Sequence, residues 1–274
     1  MERVGEHPIP AGPLAVRWHA YQIPEQRAGV TTRARVVLEN AGSAPWRSRG
    51  REGIQLGYHW LDPLGNPIVW DGTRTALPDV VEPGATIELS PSLSAPRPPG
   101  GYRLAFDLVD EYRFWFEEIG STPLELTVEV GPRIEERRLA VEVHGEPDDA
   151  LEAALAAQDE PLVTEEPVAV AHLVAGAIPA LDWSRLLLDA HAEGYGAVGG
   201  AIDAESRGDR RALSAWAPGG GRNPSFPEPL LFPSLLTGLE PTTHLGLPAF
   251  RSNDGLFEGR AVVRLRSRSG RRSG

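Results

Sequence analysis

Apolar and polar residues alternate with a period of two through much of the first 131 positions. In "IQLGYHW", Ile54, Leu56, Tyr58 and Trp60 share one face, while Gln55, Gly57 and His59 share the other. "YRLAFDL" groups Tyr102, Leu104, Phe106 and Leu108 in the same way, and "LELTVEV" groups Leu124, Leu126, Val128 and Val130. That period predicts half-buried antiparallel strands whose apolar set faces a core. The turn signals "NAGSAP", "DPLGNP", "EPGA" and "RPPGG" fall between them. Adding "LAVRWHA", "RARVVLE" and "YRFWFEE" brings the total to about seven strands at the spacing of a β-sandwich. With no cysteine to form a disulfide, Trp46, Trp60, Trp70 and Trp115 are expected to supply much of the core mass.

After "VGPRIEERR" the pattern changes, so the chain reads as two domains, 1–131 and 132–274. "RLAVEV" predicts a strand, and "PDDALEAALAAQ" a helix begun by Asp148 or Asp149. "PVAVAHLVAGAI" predicts a buried strand. "DWSRLLLDAHAEG" predicts a second helix with Asp182 as N-cap, Trp183, Leu186, Leu187 and Ala190 inward, and Gly194 as its stop. "AVGGAI" returns to strand, and such alternation indicates a small α/β domain with some parallel pairing. Beyond residue 204, "APGGGRNPSFPEPLLFPSLL" is rich in Pro and Gly and predicts long loops.

The stretch "GYGAVGG" matches the dinucleotide pattern through Gly194, Gly196 and Gly199. A phosphate loop needs a strand before its first glycine and a helix after its third, so that the helix N-terminus meets the pyrophosphate. Here the order is reversed. Gly194 reads as a left-handed helix cap, and these glycines are expected to be structural.

Two stretches resemble known families. "ENAGSAPW" (Asn40, Gly42, Trp46), "LGYHWLD", "VWDGTRTALP", "EPGATIEL", "GGYRLAFDLVDE" and "WFEEIGSTPLELTVEV" together resemble a bacterial immunoglobulin-like domain. Such domains accompany glycosyltransferases and methyltransferases of cell-surface polysaccharide synthesis, so the resemblance implies a non-catalytic β-sandwich accessory. Its implied partner is a glycosyltransferase or another glycan-assembly protein. Residues 139–203, through "HLVAGAIPALDWSRLLLDAHAEGYGAVGGAID", resemble the middle of a family-2 glycosyltransferase of GT-A fold. The metal-binding Asp-x-Asp of that family falls on Val174 and Gly176, which supply no side-chain oxygen for a divalent cation. The resemblance therefore implies a degenerate, non-catalytic domain with no metal and no cofactor.

Composition narrows the chemistry further. The absence of cysteine excludes thiolate metal sites and cysteine nucleophiles. All 27 basic residues are arginine, which excludes Schiff-base and P-loop lysines. The net charge of −11 argues against general nucleic-acid binding. Arginine is nevertheless concentrated at the end, where 264–274 reads "RLRSRSGRRSG". That tail is either a solvated end or an anchor to nucleic acid or anionic membrane. The N-terminus lacks a signal-peptide core and no apolar run of membrane-spanning length occurs, so a cytoplasmic location is expected.

Trp70 and Asp71, in "VWDG", are candidates for a sugar-stacking platform with a hydrogen-bonding carboxylate; the alternative is core packing beside a turn. Trp115 and Phe116 face opposite ways on a strand, so one is core and Trp115 is a further ligand candidate. Gly220, Gly221 and Arg222, in "GGGRN", could form an anion nest or a plain flexible turn. His59 and Asp62 suggest an acid–base or metal pair, set against turn chemistry for Asp62. His172 reads as core, His191 as core or solvent-facing, and His244 as a loop residue. No metal ligands and no catalytic residues are assigned. An unconventional reading remains: a metal-independent glycosyltransferase using Arg222 and the arginine-rich end on a sugar diphosphate.

Overall fold

The structure, a computed structural model, describes residues 1–49, 52–144, 146–174, 177–195, 198–203, 230–232, 240–244, 247–252, 255–258 and 261–267. It divides into two compact units, Met1–Gly131 and Pro132–Gly274.

The first unit is a β-sandwich. One sheet is built on Val16–Gln22, flanked by Arg35–Asn40 and then Thr86–Leu89. The other is built on Glu52–Leu61 and Gly100–Asp110, which pair antiparallel from Ile54↔Asp110 to Leu61↔Arg103. Leu124–Gly131 continues that sheet beside Gly100–Asp110. The alternating residues of both sheets meet in one core that includes Val16, Trp18, Val36, Leu38, Leu56, Tyr58, Trp60, Leu104, Phe106 and Leu108. Buried indoles satisfy their N–H groups where backbone is in reach: Trp18 donates to the Thr122 carbonyl at 2.8 Å, Trp60 to that of Ser94 at 2.9 Å.

The "ENAGSAPW" turn is held by its own chemistry. Asn40 is fully buried and donates to the carbonyls of Ala44 and Val81, each at 2.9 Å, while Gly42 donates back to Asn40 Oδ1 at 3.1 Å. A Cβ on Gly42 would lie 2.2 Å from the Pro13 carbonyl oxygen, so no larger residue fits. Trp46 then enters the core edge-on to Phe116.

In the second unit, Leu139–His144 pairs parallel to Ala169–Val174, with helix α1 (Asp149–Ala156) in the connection between them. Helix α2 (Trp183–Ala192) precedes Val198–Asp203, which pairs parallel to Ala261–Ser267. Leu139, Leu151, Ala171, Leu173, Trp183, Leu187 and Leu188 form the core of this unit. Asp148 caps α1 by accepting from Leu151 N at 2.8 Å.

Asp182 occupies the N-cap position of α2 without capping it, a departure from the expectation. Its backbone is not extended, and its carboxylate turns to Arg185 at 3.5 Å. Gln158 does the work instead, its Oε1 accepting from Ser184 N at 2.9 Å while its Nε2 donates to Ala180. Gly194, at φ 109°, follows α2 in the left-handed conformation, with strand rather than helix beyond it.

The region expected to be loop contains strands. Leu230–Phe232, Glu240–His244, Leu247–Ser252, Gly255–Glu258 and Ala261–Ser267 are extended, so His244 ends a strand instead of lying in a loop. The short alternating runs between the prolines, "AFRS" and "AVVRLRS", are long enough to pair once neighbours are supplied, and the Pro/Gly content concealed them. Arg264 and Arg266, the first arginines of the basic tail, sit in that last strand opposite Ala201 and Asp203. No helix among the described residues is long and apolar enough to cross a membrane.

Candidate functional site

Glu52–Leu61 is buried on both faces, not one. Opposite the core, Gln55 is buried, and Gly57 and His59 lie beneath Trp70, Arg74 and Trp115. The covering segment runs between two short strands, Pro67–Val69 and Thr75–Ala76, which pair with the end (Trp60–Leu61) and the middle (Gln55–Leu56) of Glu52–Leu61. Val69 packs against the core, and the strand period then carries Trp70 outward. Gly72 lets the chain pass Tyr58, because a Cβ there would sit 2.5 Å from the Tyr58 ring.

The result is a layered cluster. Trp70 is 46 % exposed and stacks on His59, which is 2 % exposed, with ring centroids 4.1 Å apart and an interplanar angle of 26°. Trp115 meets the same imidazole edge-on at 4.3 Å. The Arg74 guanidinium lies 4.5 Å from the Trp115 ring centroid. Its three nitrogens reach Glu111 at 2.6 Å, Asp71 at 2.8 Å and the Gly72 carbonyl at 3.0 Å. Trp70 and Asp71, paired as a platform in the sequence reading, thus meet Trp115, a separate candidate that is 9 % exposed, and His59, which the sequence set beside Asp62; Arg74 and Glu111 are added.

His59 does not pair with Asp62. Its Nδ1–H donates to the Trp70 carbonyl, which leaves Nε2 buried without a hydrogen-bond partner. Burial lowers its pKa, reinforced by the charge of Arg74 and opposed by the bond to Trp70. The imidazole is therefore a neutral shelf under Trp70. Asp62 performs turn chemistry, accepting from Leu64 N at 2.9 Å, Asn66 N at 2.7 Å and Asn66 Nδ2 at 2.8 Å.

Gly57 makes room for this arrangement. A Cβ there would lie 2.8 Å from the Trp115 ring and 3.1 Å from Arg74. Gly57→Ala is expected to displace Trp115 and lower stability by roughly 1–2 kcal/mol, read as a shift in urea midpoint at unchanged slope.

Chemically, the face offers an exposed indole ring bordered by carboxylate acceptors and a committed guanidinium. It contains no nucleophile paired with a base. Among the described residues no cluster of three or more His, Asp and Glu could hold a metal. Gly220, Gly221, Arg222 and Gly176 lie outside the described residues, as do the side chains of Val174 and His172.

A second feature was missed by sequence reasoning. A groove of about 380 Å³ runs between residues 4–9 and the Val16–Gln22 strand, with Glu6, His7, Arg17 and His19 in its walls. Arg17 and His19 share one strand face, at i and i+2, which was the available signal. Both hydrogen-bond Glu39, at 3.1 and 2.8 Å, so the polar groups of Arg17 and His19 already have a partner there.

No protein-family model matches the chain, and no curated protein matches it. Among solved structures, it is similar to the C-terminal domain of Wzt, at 15 % identity and TM-score 0.31 over 43 % of this chain and 75 % of that one. It is also similar to a PapD-like domain of human CEP192, at 16 % identity and TM-score 0.26 over 48 % and 95 %. A family 123 glycoside hydrolase from Clostridium perfringens matches at 10 % identity and TM-score 0.25 over 48 % and 26 %. Likeness at these values assigns no function.

Proposed function

We propose that the first unit is an immunoglobulin-like module that binds carbohydrate on the Trp70 face, and that the protein is a non-catalytic scaffold in cell-surface glycan assembly. The observation that carries this reading is the half-exposed Trp70 ring, held flat by a buried histidine and bordered by Asp71. An exposed indole fixed in one orientation offers a rigid apolar face, with polar groups at its edge, on which the apolar side of a ligand can be buried. The ring matches the C–H side of a pyranose, and Asp71, 68 % exposed and bound to Arg74 through Oδ1, keeps Oδ2 to accept from sugar hydroxyls on the same rim. The sandwich supports the accessory role. The parallel pairs and two helices of the second unit support an α/β reading of it, while its likeness to a degenerate glycosyltransferase rests on the sequence resemblance of residues 139–203. A glycosyltransferase or another glycan-assembly protein is the partner this role requires.

The test is binding of the full chain to an immobilised glycan array, repeated with Trp70→Ala. Trp70 is on the surface, so its removal leaves the core intact. A loss of about tenfold or more in affinity, some 1.4 kcal/mol, is expected. Equal binding by wild type and W70A would remove the assignment.

A further inference from the structure

The charges around Trp70 are arranged asymmetrically. Arg74 is the cation of the cluster, and each of its nitrogens is already engaged by Asp71, Glu111 or the Gly72 carbonyl. Its planar face is also occupied, lying against Trp115. Glu111 is largely buried, while Asp71 stands open beside the indole. The rim acceptor is therefore Asp71, whose Oδ1 holds Arg74 while its exposed Oδ2 makes no hydrogen bond to a described residue, and two carboxylates outweigh one guanidinium. His59 adds no positive charge, since burial disfavours its protonated form. An incoming anion would have to displace Asp71 or Glu111 from a stacked, two-carboxylate clamp to reach Arg74. It would also approach a chain of net charge −11.

Resting on the glycan reading above, we infer that this face selects sugars that are uncharged or carry an amine, and turns away glycans bearing carboxylate, phosphate or sulfate. Hydroxyl and ammonium donors satisfy Asp71, whereas an anionic substituent leaves like charges facing each other across the ring. Discrimination of this kind arises from repulsion of the wrong ligand as much as from attraction of the right one.

The experiment uses the full chain on an array holding matched pairs of glycans, each pair differing by a hexose and its uronic-acid counterpart, together with amino-sugar versions. Neutral and amino forms are expected to bind about tenfold or more tightly than the uronic form. The gap should narrow in 0.5 M salt, because Asp71 is solvent-exposed and screened. Asp71→Asn should narrow it as well, and its exposed position makes it safe for folding. Uronic forms binding as well as or better than their neutral counterparts, with binding still lost in W70A, would overturn the selectivity and leave the glycan site standing. Binding to no glycan of any class would overturn the site itself, and the selectivity with it.

Discussion

Asp107 is expected to make the first unit less stable as pH rises from 4 to 7, by about 4 kcal/mol in total. It sits on Gly100–Asp110 on the face away from the core, yet is completely buried under the 3-10 turn Phe116–Ile119. Burial pushes its pKa from 3.8 up to about 7, outweighing two backbone N–H bonds, from Leu108 at 2.8 Å and Glu117 at 3.0 Å. The nearby charges of Glu117 and Glu118 add to the rise. In this window the folded chain holds a proton that the unfolded chain has released. The contribution is thus complete below pH 3.8 and is lost as pH climbs through about 7. At its steepest the slope is about 1.4 kcal/mol per pH unit.

Asp107→Asn separates this effect from every other titration. The amide cannot ionise, but its NH₂ must face one of the two backbone donors, a pH-independent cost of roughly 1–3 kcal/mol. His59 has a lowered pKa and gives the opposite slope, lost as pH falls below 6.5, but it is common to both proteins and cancels. Urea unfolding of the two proteins from pH 5 to 8 should show wild type ahead at the acid end and its advantage shrinking or reversing at the alkaline end. A difference that does not change with pH would mean the carboxylate is ionised in the fold.

Asp107 also illustrates where sequence reading stops. The period-two pattern placed Ile54, Leu56, Tyr58, Trp60 and Phe106 on the core face correctly, because that face is set by alternation alone. The same rule sends Gln55, Gly57, His59 and Asp107 to water, on the assumption that an antiparallel sheet has one wet face. Residues 70–74 and Phe116–Ile119 return over that face, and no local pattern announces the return. "YRFWFEE" misled for a related reason: only Phe114–Trp115 pairs as strand, after which Phe116 turns into the core and Gly120, at φ 90°, closes the turn. Trp70, Asp71 and Trp115 were each legible as chemistry. The meeting of Trp115 with the Trp70–Asp71 pair was not, since it depends on Gly57, Gly72 and Arg74 acting at once. Further along, the helices were legible from their periodicity, whereas Leu230–Phe232 and Ala261–Ser267 take their places from partners distant in sequence, such as Val198–Asp203 beside both.

The second unit is expected to respond to acid in the opposite sense, through His191. This residue lies in the last turn of α2 and is wholly buried. Its Nδ1–H donates to the Tyr195 carbonyl at 2.8 Å, while Nε2 has no hydrogen-bond partner. Burial brings its pKa from 6.5 down to about 4, with Arg133 adding to the fall and the Tyr195 bond opposing it. The fold keeps the ring neutral where the unfolded chain would take a proton. Its contribution is therefore full above pH 6.5 and is lost as pH falls through about 4, a change of about 3 kcal/mol. His191→Gln retains a donor for Tyr195 and cannot titrate. The wild type should lose stability relative to H191Q between pH 7 and pH 4.5, measured by urea unfolding and by exchange of the α2 amides corrected for intrinsic rates. Parallel curves for the two proteins would place the imidazole in contact with water, and the close packing of α2 around Trp183, Leu187 and Leu188 would then have to open there.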